Sequence, residues 1–504
     1  MTTPAAPKLS LPRGVLLAAL LGLAPQALAD EQAMLRLLKV LRDQGTITAA
    51  QYEELRLAAE ADKKGPALAP ASEAKPAVAA TSNAAPAKAT DAASKPAPGT
   101  GTPGAAPAHS ASAAAPGQPN VPAVAKATPK WSDRLNIRGY VQFRYNAILD
   151  ESGPGLNVPN DRSVSRNDSF MIRRGRLILS GDVSDRVFFY AQPDMNASPS
   201  DDQFSLQLRD LYADVAFDKA KEYRVRLGQS KVPYGFVNMQ SSQNRAPLER
   251  ADALNSAVEG ERDIGAFFYW APAEVRERFR TLVSSGLKGS GDYGVVGLGI
   301  YSGQGLNRSD RNGDLHAVAR VSYPFELPGG QVFEPGLQAY TGRFVVDTVA
   351  VNGPSGATIR PTARTDGIAD ERVAATLVWY PKPIGFEAEW TLGRGPELSS
   401  DFSRIESGFL QGGYVQVNYL LPVGKGSLFP FVRWQMYEGG RKFARNAPSA
   451  RVNEIDFGIE WSPWKELEVA VAYTHTFHRT NTSIAPYADA EGSDRVGMQV
   501  QWNY

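Results

Sequence analysis

The final ten residues, 495–504, alternate without a break. Val496, Met498, Val500, Trp502 and Tyr504 fall on one face of a strand, and Gly497, Gln499, Gln501 and Asn503 on the other, because successive strand side chains point to opposite sides. One such strand also suits the edge of a soluble sandwich, so only repetition of the pattern points to a barrel. The same period recurs through the C-terminal part of the chain. Val141, Phe143 and Tyr145 oppose Gln142 and Arg144. Val373, Ala375, Leu377 and Trp379 share a face, as do Phe386, Ala388, Trp390 and Leu392. Val432, Trp434 and Met436 repeat it, then Ile455, Phe457, Ile459 and Trp461, then Val469, Val471 and Tyr473.

Read in this way, about sixteen strands follow one another, an even number as a transmembrane barrel requires. They are expected near 134–146, 169–183, 186–194, 206–217, 222–231, 263–271, 294–302, 316–325, 334–344, 372–380, 385–393, 408–421, 428–437, 453–462, 467–477 and 494–504. Connection lengths give a second signal. Short links such as Asp182-Val183-Ser184-Asp185 and Ser462-Pro463-Trp464-Lys465 alternate with long ones at 147–168, 195–205, 232–262, 303–315, 345–371, 394–407, 438–452 and 478–493. Short turns at one end and long loops at the other describe a porin-type barrel. Residues 272–293 fall where a short turn belongs and are too long for one, so the register there is open. Trp131, Tyr323, Tyr380, Trp461, Trp464 and Trp502 near strand ends would form an interfacial girdle. The expected fold is all-β: an antiparallel, sixteen-stranded transmembrane barrel over 131–504.

Three segments precede it. Lys8 and Arg13, the apolar run from Val15 to Leu23, and Ala27-Leu28-Ala29 read as a signal peptide over 1–29. The mature chain is thereby expected to be exported, and with the barrel the expected location is the outer membrane of a Gram-negative type of cell, with the N-terminal segment in the periplasm. Residues 30–60 carry Met34, Leu37, Leu38 and Leu41 at helical spacing, then Thr48 and Gln51 at capping-box spacing. A short helical or coiled-coil segment is expected there, and helices so short need a partner face. Residues 61–130 are Ala- and Pro-rich and contain no aromatic residue. They cannot bury enough apolar surface to fold and read as a disordered linker, within reach of the cell wall.

Composition excludes several chemistries. There are no cysteines, four histidines and a formal net charge of +1. Disulfides, thiol catalysis and bulk attraction to nucleic acid are therefore not expected. No cofactor or metal is expected either. Asp310 to Asp314 lacks the remaining ligands of a calcium loop and reads better as an Asn-Gly turn. His475 and His478 lack a third ligand, and neither has an evident serine partner for hydrolysis.

Phe170-Met171-Ile172-Arg173-Arg174-Gly175-Arg176-Leu177, Leu211-Tyr212-Ala213-Asp214, the run from Tyr223 to Tyr234, Leu248-Glu249-Arg250 and Arg262-Asp263-Ile264-Gly265 resemble the phosphate-selective porins O and P. The resemblance is densest over 170–265. It implies a homotrimeric, sixteen-stranded outer-membrane channel with one loop folded inside. The expected partners are outer-membrane lipid, further copies of the chain and small anions such as phosphate.

Pores select by width and by the charges lining them. Strand alternation places Arg134, Arg138, Arg144, Arg224, Arg226, Lys231, Arg433 and Arg495 on the lumen side as candidates for an anion path. Arginine keeps its charge at any relevant pH and matches phosphate oxygens with two donors. On this reading, Arg224→Ala or Arg226→Ala lowers anion selectivity. Glu387, Glu389, Glu454, Asp456 and Glu460 also face inward, so pairing along the wall competes with an anion path. The connection 232–262 is long enough to be functional. It is expected to bend inward and narrow the lumen, with Arg245, Glu249, Arg250 and Arg262 as constriction candidates and a short helix starting near Pro247. A non-selective porin of the same fold and a structural tether or adhesin remain as alternatives. An enzyme barrel has the least support.

Overall fold

A computed structural model of the chain describes residues 134–149, 169–198, 203–480 and 490–504. The expected leader, helical segment and linker, and Trp131, lie outside the described residues. Sixteen strands follow in order: β1 Asn136–Ile148, β2 Ser169–Asp182, β3 Val187–Ser198, β4 Gln203–Ala216, β5 Tyr223–Lys231, β6 Arg262–Trp270, β7 Val296–Tyr301, β8 His316–Ser322, β9 Gln331–Phe344, β10 Ile368–Trp379, β11 Ile384–Leu398, β12 Ile405–Tyr419, β13 Gly426–Gly440, β14 Ser449–Trp464, β15 Leu467–Thr480 and β16 Ala490–Asn503. Short extensions at Phe325–Leu327 and Leu421–Val423 prolong the turns beside β8 and β12. Each strand pairs antiparallel with its sequence neighbours, and β1 pairs with β16 from Tyr140↔Asn503 to Ile148↔Arg495. The sheet thus closes on itself and leaves no edge.

Alternation fixes what each face meets. Val373, Leu377 and Trp379, then Val432 and Trp434, then Phe457, Ile459 and Trp461 are exposed on the outside. Between them Arg433, Gln435, Glu454, Asp456 and Glu460 are buried on the inside. Soluble proteins rarely expose contiguous apolar patches beyond a few hundred Å². A belt of this kind around a closed barrel is matched to lipid. No helix among the described residues is long and apolar enough to cross a membrane.

One end of the barrel carries tight turns and the other the long loops. Trp379, Trp461, Trp464 and Trp502 are exposed at the turn end, with Phe333 stacked on Trp379 at 6.2 Å. Tyr380 departs from the expected girdle. It is buried and donates from its hydroxyl to Glu334 Oε2 at 2.7 Å, so it points inward. Several strands run further toward the loop end than alternation indicated. β11 extends to Leu398 and β12 begins at Ile405, which leaves 399–404 where 394–407 was expected to be loop. Backbone pairing continues there past the last apolar side chain, because the ladder needs hydrogen bonds and not lipid.

The open register at 272–293 resolves into a helix, α3 (Ala273–Ser284). Val275, Phe279 and Leu282 recur at helical spacing and are its buried residues. The first two pack with Ala271 and Val295, and Leu282 packs with Val378 and Tyr380 of the inner wall.

Candidate pore constriction

The connection from β5 to β6, residues 232–261, lies inside the barrel and is fastened to distant parts of its wall. It contains two single-turn helices, α1 (Phe236–Met239) and α2 (Asp252–Asn255). The second starts at Asp252 and not near Pro247, where it was expected. On the β11 side, the Phe236 and Val237 amides donate to the Glu389 carboxylate at 2.6 and 3.2 Å. The Tyr234 hydroxyl shares a 2.6 Å hydrogen bond with Thr391. On β13, Arg433 donates to the Glu249 carbonyl at 2.7 Å, and Gln435 accepts from the Asp252 amide at 2.7 Å. On β1, Gln142 donates to the Ser242 carbonyl at 3.0 Å and Arg144 to the Leu248 carbonyl at 3.0 Å. Lys231 closes the loop base by donating to the Asn238, Met239 and Gln240 carbonyls. Close approach also explains Gly497: a Cβ there would sit 2.5 Å from Leu248 Cδ1.

Between this loop and the wall of β2, β3 and β4 is a cleft of about 240 Å³. Six arginines line it: Arg173, Arg174, Arg176, Arg209, Arg250 and Arg308. Asp194 and Glu259 are the carboxylates among its lining residues, and Asn196, Gln207, Asn255, Gln304 and Asn307 supply amides.

Two β-bulges concentrate this charge. The β1–β2 register passes from Gln142↔Arg174 to Phe143↔Ile172, so Arg173 is the extra residue. The β3–β4 register passes from Gln192↔Asp210 to Pro193↔Leu208, so Arg209 is the extra residue there. A bulge re-aims side chains that strict alternation would send outward. Both Arg173 and Arg174 consequently reach the Glu249 carboxylate, at 2.9 and 3.0 Å. Both Arg209 and Asp210 are buried inside.

Other expected path residues are held in pairs. Arg226 binds Asp214 with two bonds of 2.7 and 2.9 Å and lies 3.9 Å over the Tyr212 ring. Arg224 binds Asp292. Arg433 binds Asp456 at 2.6 Å, and Arg495 lies 3.5 Å from Glu454. Arg144 donates to Glu249 at 2.8 Å. Arg134 is exposed at the turn end, 3.6 Å from Asp185, and Arg138 is exposed on β1. Of the loop candidates, Arg250 and Arg262 both pair with Glu261, and Arg262 also binds Asp210 at 2.9 Å. Arg245 is buried, and its guanidinium nitrogens make no hydrogen bond among the described residues. The inward acids Glu387, Glu389, Glu454, Asp456 and Glu460 are all buried and none lines the cleft. Glu389 anchors the loop directly, and Glu454 accepts from Gln435, the residue that holds the Asp252 amide.

Alternation alone missed Arg173, Arg174, Arg176 and Arg209. A signal was present. Outward apolar positions run Leu206, Leu208, then Leu211, Ala213, Val215: the step from 208 to 211 is one residue too long, which marks a bulge.

A second inward segment lies at the turn end. After α3, Lys288 pairs with Glu460 and Glu468 of β14 and β15, and its carbonyl accepts from Gln240 of the constriction loop at 2.6 Å. Asp292 sits between Arg224 and Arg276. Burial alone would raise its carboxyl, but Arg224 and then Arg276 override this and hold it well below the usual carboxylate range.

A closed, lipid-matched sixteen-stranded barrel narrowed by an inward loop is a porin-type architecture. The sequence profile of the family "Phosphate-selective porin O and P" matches residues 154–504. The chain belongs to that family and is an outer-membrane porin. Among solved structures it is similar to the outer membrane channel DcaP of Acinetobacter baumannii, with 14% identity over 73% of this chain and 97% of that one and a TM-score of 0.45. It is also similar to OmpF of Salmonella typhi, with 13% identity, the same coverage and a TM-score of 0.46. An anion-selective porin from Comamonas acidovorans shows 11% identity over 73% of this chain and 99% of that one, with a TM-score of 0.42. Among curated proteins, none matches the chain in sequence.

Proposed function

We propose that this porin lets small anions diffuse passively across the outer membrane, with phosphate among its solutes. The observation that carries the reading is an asymmetry in which charges line the cleft. Six arginines and two carboxylates line the cleft, whereas the inward acids Glu387, Glu389, Glu454, Asp456 and Glu460 do not reach it. A passing solute therefore meets excess positive charge at the narrow point, which favours anions. The family description adds phosphate as the narrower candidate. Arginine pairs at Arg173-Arg174 have the donor geometry for tetrahedral oxyanions.

The long loops face outward and the turn end faces the periplasm in this reading, which sets the N-terminal segment beside the cell wall. A homotrimer accords with the exposed apolar outer wall, part of which would meet other copies and the rest lipid. The test is solute uptake into liposomes holding the purified protein. Anions should enter faster than neutral or cationic solutes of equal size. Equal rates for all three would make this a non-selective porin.

A further inference from the structure

We propose that Glu249 and Glu261 act as built-in counter-anions that set how tightly the constriction holds a passing anion. This rests on the anion-porin reading and assigns selectivity to carboxylates as well as to arginines. Both residues sit on the constriction loop, and each is enclosed by cations, all from the wall around Glu249 and from the wall and the loop's own Arg250 around Glu261. Glu249 takes Arg144 at 2.8 Å, Arg173 at 2.9 Å and Arg174 at 3.0 Å. Glu261 takes Arg250 and Arg262 directly, with Lys231 at 3.6 Å and Arg209 at 3.8 Å. Both carboxylates are buried.

The geometry makes them competitors of the solute. Arg173 and Arg174 belong to the Glu249 cluster and also line the cleft, as Arg209 and Arg250 of the Glu261 cluster do. A guanidinium presents several donors in one plane, so it can hold a resident carboxylate and still turn donors to a solute. A channel needs this compromise. Binding must draw an ion in yet release it, and a fully uncompensated arginine cluster would hold each anion too long. The backbone at the second site supports a fixed role. Gly260 and Glu261 have φ of +74° and +68°, and a non-glycine residue is held there only at a cost. That turn aims the Glu261 carboxylate into its cations.

The experiment is planar-bilayer recording of the full-length protein and of Glu249→Gln, with Glu249→Asp as partner. Gln removes the charge while keeping size and hydrogen-bonding capacity; Asp keeps the charge on a shorter side chain. Inorganic phosphate added to a chloride bath is the probe. In Glu249→Gln, phosphate should block the chloride current at several-fold lower concentration, and the anion-to-cation permeability ratio should rise several-fold. Glu249→Asp, which keeps the charge but draws it back from the guanidiniums, should shift both markedly less than Glu249→Gln. An unchanged or weaker block in Glu249→Gln overturns the proposal. Equal changes in both variants overturn it too, since they would report loop displacement and not charge. A wild-type channel that itself prefers cations defeats the underlying anion reading, and is read from the wild-type trace alone.

Discussion

Arg209→Gln removes one charge from the cleft wall while keeping a donor that can reach the Gly260 carbonyl, which Arg209 now holds at 3.0 Å. For an ion about 5 Å away, a unit charge contributes about 0.8 kcal/mol at the dielectric of water and about 3 kcal/mol at the effective value near a protein surface. At the lower figure an anion loses about 0.8 kcal/mol and a cation gains the same, so the permeability ratio shifts by about 1.6 kcal/mol, or roughly tenfold. Salt supplies an internal control. The Debye length is about 10 Å at 0.1 M and about 3 Å at 1 M, so most of the shift should vanish in concentrated salt. The assay is the reversal potential in a planar bilayer under a salt gradient, measured at both ionic strengths. A ratio that does not change in dilute salt, or that changes equally in concentrated salt, refutes the claim that Arg209 acts through its field at the constriction.

Further outcomes follow from the same contacts. Arg226→Ala should leave Asp214 partly buried without its guanidinium partner, costing about 1–3 kcal/mol of local stability, with little change in permeability ratio; differential scanning calorimetry in detergent checks the first part and bilayer recording the second. Lys288→Gln should release the turn-end segment from Glu460 and Glu468 and raise single-channel conductance. Asp292 has a depressed pKa in the fold, so its stabilisation is complete above the ordinary carboxylate value of about 3.9 and is lost as pH falls through the folded value. The difference in melting temperature between wild type and Asp292→Asn should thus be constant from neutral pH to about 5 and shrink below about 4.

Much of the barrel was legible because the alternation is a direct consequence of a wall with lipid on one side and polar groups on the other. The ten residues from Arg495 to Tyr504 show it best: Gln499 and Gln501 are buried inside, while Met498 and Trp502 are exposed outside. The inward turn of the 232–261 loop was legible from its length. What alternation could not supply was the phase at the two bulges. One extra residue at Arg173 and one at Arg209 place consecutive charges on the same side, and Arg173, Arg174 and Arg209 are three of the six arginines of the cleft. Nor could it show which inward groups are covered. Arg226 and Arg433 have the right strand face, yet each finds an acid on the adjacent strand. Pairing across strands depends on register, which a single strand's pattern does not contain. The helix Ala273–Ser284 was hidden differently: it stands where barrels usually have a short turn.

The central claim is that arginines outnumber carboxylates along the narrow passage, while the wall acids of β11 and β14 are kept from it. The reversal potential of the wild-type channel under a tenfold potassium chloride gradient tests it most directly. The account predicts a potential of the sign set by chloride, close to the chloride equilibrium value in dilute salt. A potential near zero, or of the sign set by potassium, contradicts it.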